Sequence, residues 1–141
     1  MIVLDSDHLS LLEHPESPTT QRLLNRMDKS PDQEFATTVI SLEEQLRGWL
    51  AVINRYSDIP RQITAYTRLV GLVEFYSRWK VLPFDQPAAD QVARLRAARV
   101  RIGTMDLKIA SIALVNDALL LTGNLADFQR VPELRAENWT L

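Results

Sequence analysis

The chain has 141 residues, 46% hydrophobic and 24% charged, with 16 Lys and Arg against 18 Asp and Glu and a formal net charge of -2. This composition is globular: it excludes fibrous and disordered classes, and the apolar runs are too short and interrupted to cross a bilayer. Cysteine is absent, which removes disulfides and thiolate metal sites. The length suits one domain over residues 1–141, and with no cationic leader followed by a cleavage site the expected location is the cytoplasm.

In chain order, Met1 to Leu4 reads as a short buried strand, followed by a helix from about Thr19 to Lys29 with Leu23, Leu24 and Met27 as its apolar stripe. Glu34 to Ile40 is a second strand, rich in Val, Ile and Thr. From Ser41 the period turns helical, with Leu42, Leu46, Trp49, Leu50 and Ile53 on one face. Pro60 opens a long helix to about Trp79 whose Ile63, Tyr66, Leu69, Val70, Val73 and Tyr76 are expected inward. Val81 to Phe84 is a short strand, Pro87 starts an Arg-rich helix, and Asp106 to Asn116 forms another. Ala118 to Thr122 is an almost continuously apolar strand, as when both faces are covered, and Trp139 to Leu141 reads as a last edge strand. The alternation predicts an α/β protein with a central, mostly parallel sheet.

Four acids fall where such a sheet would gather them: Asp5 after the first strand, Glu44 after the second, Asp106 opening a helix, and Asp127 after the strand ending in Thr122. Open α/β sheets put their functional loops outside the carboxyl ends of the strands. Carboxylates about 4 Å apart repel by roughly 4 kcal/mol at an effective dielectric of 20, so a cluster protonates, spreads or binds a cation. Hard divalent ions prefer such oxygens. Each acid also has a structural reading. Ser41 and Glu44 match a capping box, Asp106 complements a helix dipole behind a Thr104 cap, and Asp127 suits a turn. Asp5 is the exception, because an acid directly after a buried strand needs a partner or a cation.

Basic residues concentrate just ahead of Asp106. Arg94, Arg96, Arg99, Arg101 and Lys108 leave a local excess of four positive charges over Asp106. A solvated helix face is the ordinary explanation of such a run; leading into an acidic site, it also suits a polyanionic substrate. His8 and His14 lack the helical spacing of a metal pair and are read as non-ligands.

The segment from Ile2 to Ser10 resembles the opening hhhD-[ST]-[ND]-hhS of PIN-domain ribonucleases of the VapC toxin type. Ser41 to Gly48 is similar to that family's S-x-x-E-L-x-x-G, with the acid at Glu44; Asp106 to Ala110 resembles its D-x-x-I-A helix; and Thr122 to Phe128 resembles its closing T-x-[ND]-x-x-D-F. The resemblance implies a three-layer α/β/α PIN-like fold and an endoribonuclease dependent on Mg²⁺ or Mn²⁺. It implies a small cognate antitoxin as partner and favours a homodimer. Asp5, Glu44 and Asp106 would hold the ion; Asn124 stands where the family often has its fourth acid, so either Asp127 supplies that catalytic carboxylate or the site has only three. Ser6, Thr122 and Asn124 would orient water or phosphate, and Arg96 and Arg99 would guide RNA. Two rivals differ in class: a non-catalytic RNA- or protein-binding module on a decayed scaffold, and a haloacid-dehalogenase-type phosphatase using Asp5 and Asp7. The latter lacks the Gly-Thr that normally follows its second Asp.

Overall fold

The computed structural model describes residues 1–141. Five parallel strands form one sheet in the order β3-β2-β1-β4-β5: β1 (Ile2–Leu4), β2 (Phe35–Thr38), β3 (Lys80–Leu82), β4 (Leu119–Leu121) and β5 (Arg135–Glu137). The first three strands step outward one way and the last two the other, so strand order reverses between β1 and β4. In open α/β sheets that reversal opens a crevice at the carboxyl ends.

Strand alternation separates two cores. Val3, Ala36, Leu82 and Leu120 face α5 (Gln86–Ala97), α6 (Thr104–Val115) and α7 (Leu125–Phe128), meeting Leu95, Ile109, Ile112 and Phe128. Ile2, Leu4 and Leu121 face the other way, against Leu9 of α1 (Ser6–Leu11), Leu23 of α2 (Pro18–Lys29), and Leu72 and Tyr76 of α4 (Ile63–Ser77). Helices thus cover both faces, giving the expected three layers. Only with both faces covered can β4 be three leucines in a row. No helix is long and apolar enough to cross a membrane.

Several local expectations are corrected. The strand begun near Glu34 stops at Thr38, and α3 (Val39–Arg55) follows without a loop. The cap is accordingly Thr38, whose Oγ1 accepts from the Ser41 amide at 3.1 Å, so Ser41 lies inside the helix and Glu44 in its second turn, free of any capping role. Gly103 rather than Thr104 precedes the first turn of α6. Six residues after Asp5 form the helix α1, whose Asp5 side chain accepts from Ser6 N; periodicity had no room to reveal so short an element. The last strand is Arg135–Glu137, whereas Trp139 is buried against α2 and β1 residues.

On α4 the buried residues are Ala65, Leu72 and Tyr76, while Ile63, Tyr66, Val70 and Val73 are each more than half exposed. This helix is apolar around most of its circumference, so spacing alone does not select a face. Packing against α3 and the sheet does.

Candidate active site

The acids predicted from the sequence meet at the carboxyl edge of the sheet. Asp5 directly follows β1, caps α1 and is buried; Glu44 comes from α3, Asp106 from the first turn of α6, and Asp127 from α7, all three partly exposed. The turn between β4 and α7 supplies Thr122, Gly123 and Asn124.

One continuous run of hydrogen bonds links them. Ser6 Oγ donates to Glu44 Oε2 at 3.0 Å, while Ser6 N donates to Asp5 Oδ1 at 2.7 Å. Asp5 Oδ2 accepts from Thr122 Oγ1 at 2.9 Å, and that hydroxyl oxygen accepts from Asn124 N at 3.0 Å. Asn124 Nδ2 then donates to Asp127 Oδ2 at 3.0 Å and, more weakly, to Asp106 Oδ2 at 3.5 Å. The amide at position 124 therefore stands between two acids as a donor to both.

No Lys or Arg pairs with Asp5, Glu44, Asp106 or Asp127. Burial, reinforced by the Asp7 charge, pushes the Asp5 carboxyl up to about 6. Burial likewise raises Glu44, with Asp106, Glu43 and Asp7 adding to it against the Ser6 hydrogen bond. Asp106 is raised by burial and by the Asp127 and Asp7 charges. These groups resist sharing negative charge, the condition a bound cation relieves. The donor set is all oxygen, which fits a hard divalent ion. In the arrangement described, no three acidic or imidazole side chains converge closely enough to hold an ion, so binding requires the carboxylates to draw inward.

Asp7 has a role that sequence reading missed. Its Oδ2 accepts from Gly123 N at 2.7 Å and its Oδ1 pairs with His8 Nδ1 at 2.8 Å. His8 is 1% exposed, and its Nε2 accepts from Trp139 N at 3.1 Å. That bond fixes the ring proton on Nδ1, which donates to Asp7. Burial acts to raise Asp7, but the His8 and Gly123 hydrogen bonds overcome it and hold its carboxyl low. The adjacent acid and histidine were the only available signal, and they identify a strap joining α1, the β4–α7 turn and the C-terminal segment. A phosphatase would need Asp7 free as an acid, yet both its oxygens are engaged by the protein's own groups.

Arg96 and Arg99 are exposed and lie outside the hydrogen-bonded group. Helix α5 starts beyond the carboxyl end of β3, and its last turn is some 18 Å further along its axis. Arg94 there pairs with Glu133, just before β5 begins.

Comparison with known proteins agrees with this geometry. The "tRNA(fMet)-specific endonuclease VapC" of Salmonella typhimurium is 38% identical over 77 residues, covering 51% of this chain and 58% of the relative. The chain spans little more than half the length of the curated relatives it matches. In fold it is similar to VapBC-1 from nontypeable Haemophilus influenzae, with a TM-score of 0.71 at 22% identity over 100% of both chains. It is also similar to VapBC2 from Rickettsia felis bound to a promoter DNA fragment, with a TM-score of 0.71 at 24% identity over 99% of each chain. The PIN domain profile matches residues 2–134, so it is this family, and not the haloacid-dehalogenase type, to which the chain belongs.

Proposed function

We propose that this protein is a divalent-metal-dependent endoribonuclease, the toxin of a toxin-antitoxin pair. The observation that carries the reading is the hydrogen-bonded run from Glu44 through Ser6, Asp5, Thr122 and Asn124 to Asp106 and Asp127. It presents four acids without a cationic partner at the strand-order reversal. A decayed binding module would have no need to keep that costly set.

Asp5, Glu44 and Asp106 would hold Mg²⁺ or Mn²⁺. When bound, the cation supplies Lewis acidity toward a phosphate oxygen and makes water a usable nucleophile at neutral pH. The chain's own groups do the orienting. Ser6 N and Thr122 Oγ1 fix both oxygens of Asp5. Ser6 Oγ steadies Glu44, and Asn124 links Asp106 to Asp127 at the fourth acidic position. Arg96 and Arg99 lie further from the acids than the Debye length of about 8 Å at physiological salt, so they would act by contacting phosphates of the RNA outside the site itself.

A small antitoxin is the expected protein partner, by likeness to the VapC-type relatives, and a homodimer the expected assembly. The exposed row Ile63, Tyr66, Val70 and Val73 supports a protein covering α4.

The test is cleavage of single-stranded and structured RNA with Mg²⁺, with Mn²⁺ and with chelator, by the wild type and by Asp5→Asn. Ion-dependent cutting that disappears in Asp5→Asn is expected. Metal-dependent turnover of a phosphomonoester with no RNA cleavage would overturn the assignment.

A further inference from the structure

Beside the acids the molecule opens into a cleft of about 800 Å³, walled by α1 and the residues just after it, by α3 and by α4. Ser6 belongs to both places: it lines the cleft and donates to Glu44 Oε2 at 3.0 Å, so the cleft is continuous with the acidic site. On the α4 wall, position 71 is a glycine with nothing within 4 Å of where a Cβ would stand, which leaves that side open.

Three kinds of group meet there. Trp49 of α3 and Phe75 of α4 supply aromatic surface; both pack against the second apolar core, with part of each side chain uncovered. Arg68 and Arg78 line the cleft about 15 Å apart along α4. Both are exposed, and neither is in an ion pair. Glu13 and Glu74 add carboxylates that are unpaired as well, whereas Asp7 is held by His8 and Gly123.

This mixture is selective. With Asp7, Glu13 and Glu74 against Arg68 and Arg78, the lining has no excess of positive charge, so a bare polyanion gains little by entering. An apolar peptide face is better matched by another side of α4, where Ile63, Tyr66, Val70 and Val73 are exposed. Single-stranded RNA uses all three kinds of group at once. An unstacked base lies on an aromatic face, its N–H groups donate to a carboxylate, and flanking phosphates pair with guanidinium groups.

We propose that this cleft is the subsite for an unpaired RNA segment next to the scissile bond, with Trp49 stacking a base and Arg68 and Arg78 holding its flanking phosphates. The inference rests on the ribonuclease reading and adds a contact that separates unpaired from paired RNA. A base inside a duplex has no free face to offer Trp49.

Wild type, Trp49→Phe, Trp49→Leu and the double variant Arg68→Ala with Arg78→Ala should be titrated in chelator with a short single-stranded RNA, with the same RNA annealed to its complement, and with inorganic polyphosphate. Trp49→Leu should lose about tenfold in affinity for the single strand, within the range of one base–aromatic stack, and leave duplex and polyphosphate binding in place. In cleavage assays with Mn²⁺ it should raise KM by the same factor at unchanged kcat. Trp49→Phe keeps a ring face and should retain most of the affinity. The double arginine variant should bind the single strand more weakly and with a shallower dependence on salt. Both arginines are exposed, so that variant tests the cleft even where Trp49→Leu proves too unstable to assay. Wild-type affinity and salt dependence in the double arginine variant overturn the proposal, as does a loss in Trp49→Leu that is equal for single strand and duplex. Variants that bind and cut RNA like the wild type but fail to bind a co-expressed antitoxin would make the cleft a protein site and overturn it too. Absence of RNA binding and cleavage in the wild type would instead overturn the ribonuclease reading, and this inference with it.

Discussion

Gly123 donates its backbone N–H to Asp7 Oδ2 across 2.7 Å, tying the turn that carries Thr122 and Asn124 to the first turn of α1. A Cβ at position 123 would approach that oxygen to 2.9 Å, so the bond and the absence of a side chain go together. Gly123→Ala must displace the Asp7 carboxylate. We expect it to lower stability by about 1–2 kcal/mol, the cost of disturbing a hydrogen bond to a charged group. Urea unfolding, with the slope checked for constancy, measures it.

Asp7→Asn separates the strap from chemistry. The amide keeps one carbonyl oxygen where the carboxylate used two, so either His8 or Gly123 loses its acceptor. Stability should fall by about 1 kcal/mol, roughly 3 °C in melting temperature for a chain of this size. RNA cleavage should persist at a substantial fraction of the wild-type rate. Complete loss of cleavage with an unchanged melting curve would make Asp7 a catalytic acid after all.

Stability should depend on pH through Asp5. Its folded pKa is raised to about 6 from 3.8, so between those values the folded protein binds more protons than the unfolded chain. That contribution is fully present below about pH 4 and is lost as pH rises through 6, on the order of 2–3 kcal/mol. Glu44 and Asp106 are raised as well and add in the same direction. Metal-free protein should therefore lose stability between about pH 4 and about pH 7 relative to Asp5→Asn, whose curve lacks the Asp5 contribution. Millimolar Mg²⁺ or Mn²⁺ at neutral pH should restore it in the wild type by mass action and do much less in Asp5→Asn. Calorimetric melts across this range decide both points. Parallel pH curves for the two proteins would contradict the burial of the Asp5 charge.

Glu44→Gln and Glu43→Gln form a matched pair. Thr38 caps α3, so neither glutamate has a capping duty, and Glu43 pairs one turn on with Arg47 at the surface. Both variants should fold within about 1 kcal/mol of wild type. Glu44→Gln should lower RNA cleavage by about 10²-fold or more, the scale for losing one charged group at a reacting centre. Glu43→Gln should cut at close to the wild-type rate.

Replacing Arg96 and Arg99 with Ala should weaken RNA binding without much change at saturating substrate. Neither side chain is in an ion pair, and neither touches the acids. Each phosphate of single-stranded RNA that the variant no longer neutralises should make the dependence of log affinity on log salt shallower by about 0.7. Fluorescence titration at several salt concentrations checks it; an unchanged slope would remove both arginines from the RNA path.

The alternation of strands and helices, the parallel sheet and the four acids at its carboxyl edge were all legible along the chain. They depend on short-range facts: which residues are apolar, at what period, and which acid follows each strand. How the acids are held was not legible, because the two partners of Asp5 lie at very different separations, Ser6 next door and Thr122 117 residues away. Folding revealed Thr38 as the cap of α3, since a strand and a helix that abut leave no turn residues to mark the boundary. Packing chose the buried side of α4, where an all-round apolar sequence offered several. It also brought Trp139 to His8 and Gly123 to Asp7, pairings spanning 131 and 116 residues that no local pattern encodes. Tyr76 is a further case, because an ordinary core aromatic in sequence is left with a buried, unpartnered hydroxyl only by the way the apolar cluster packs around it.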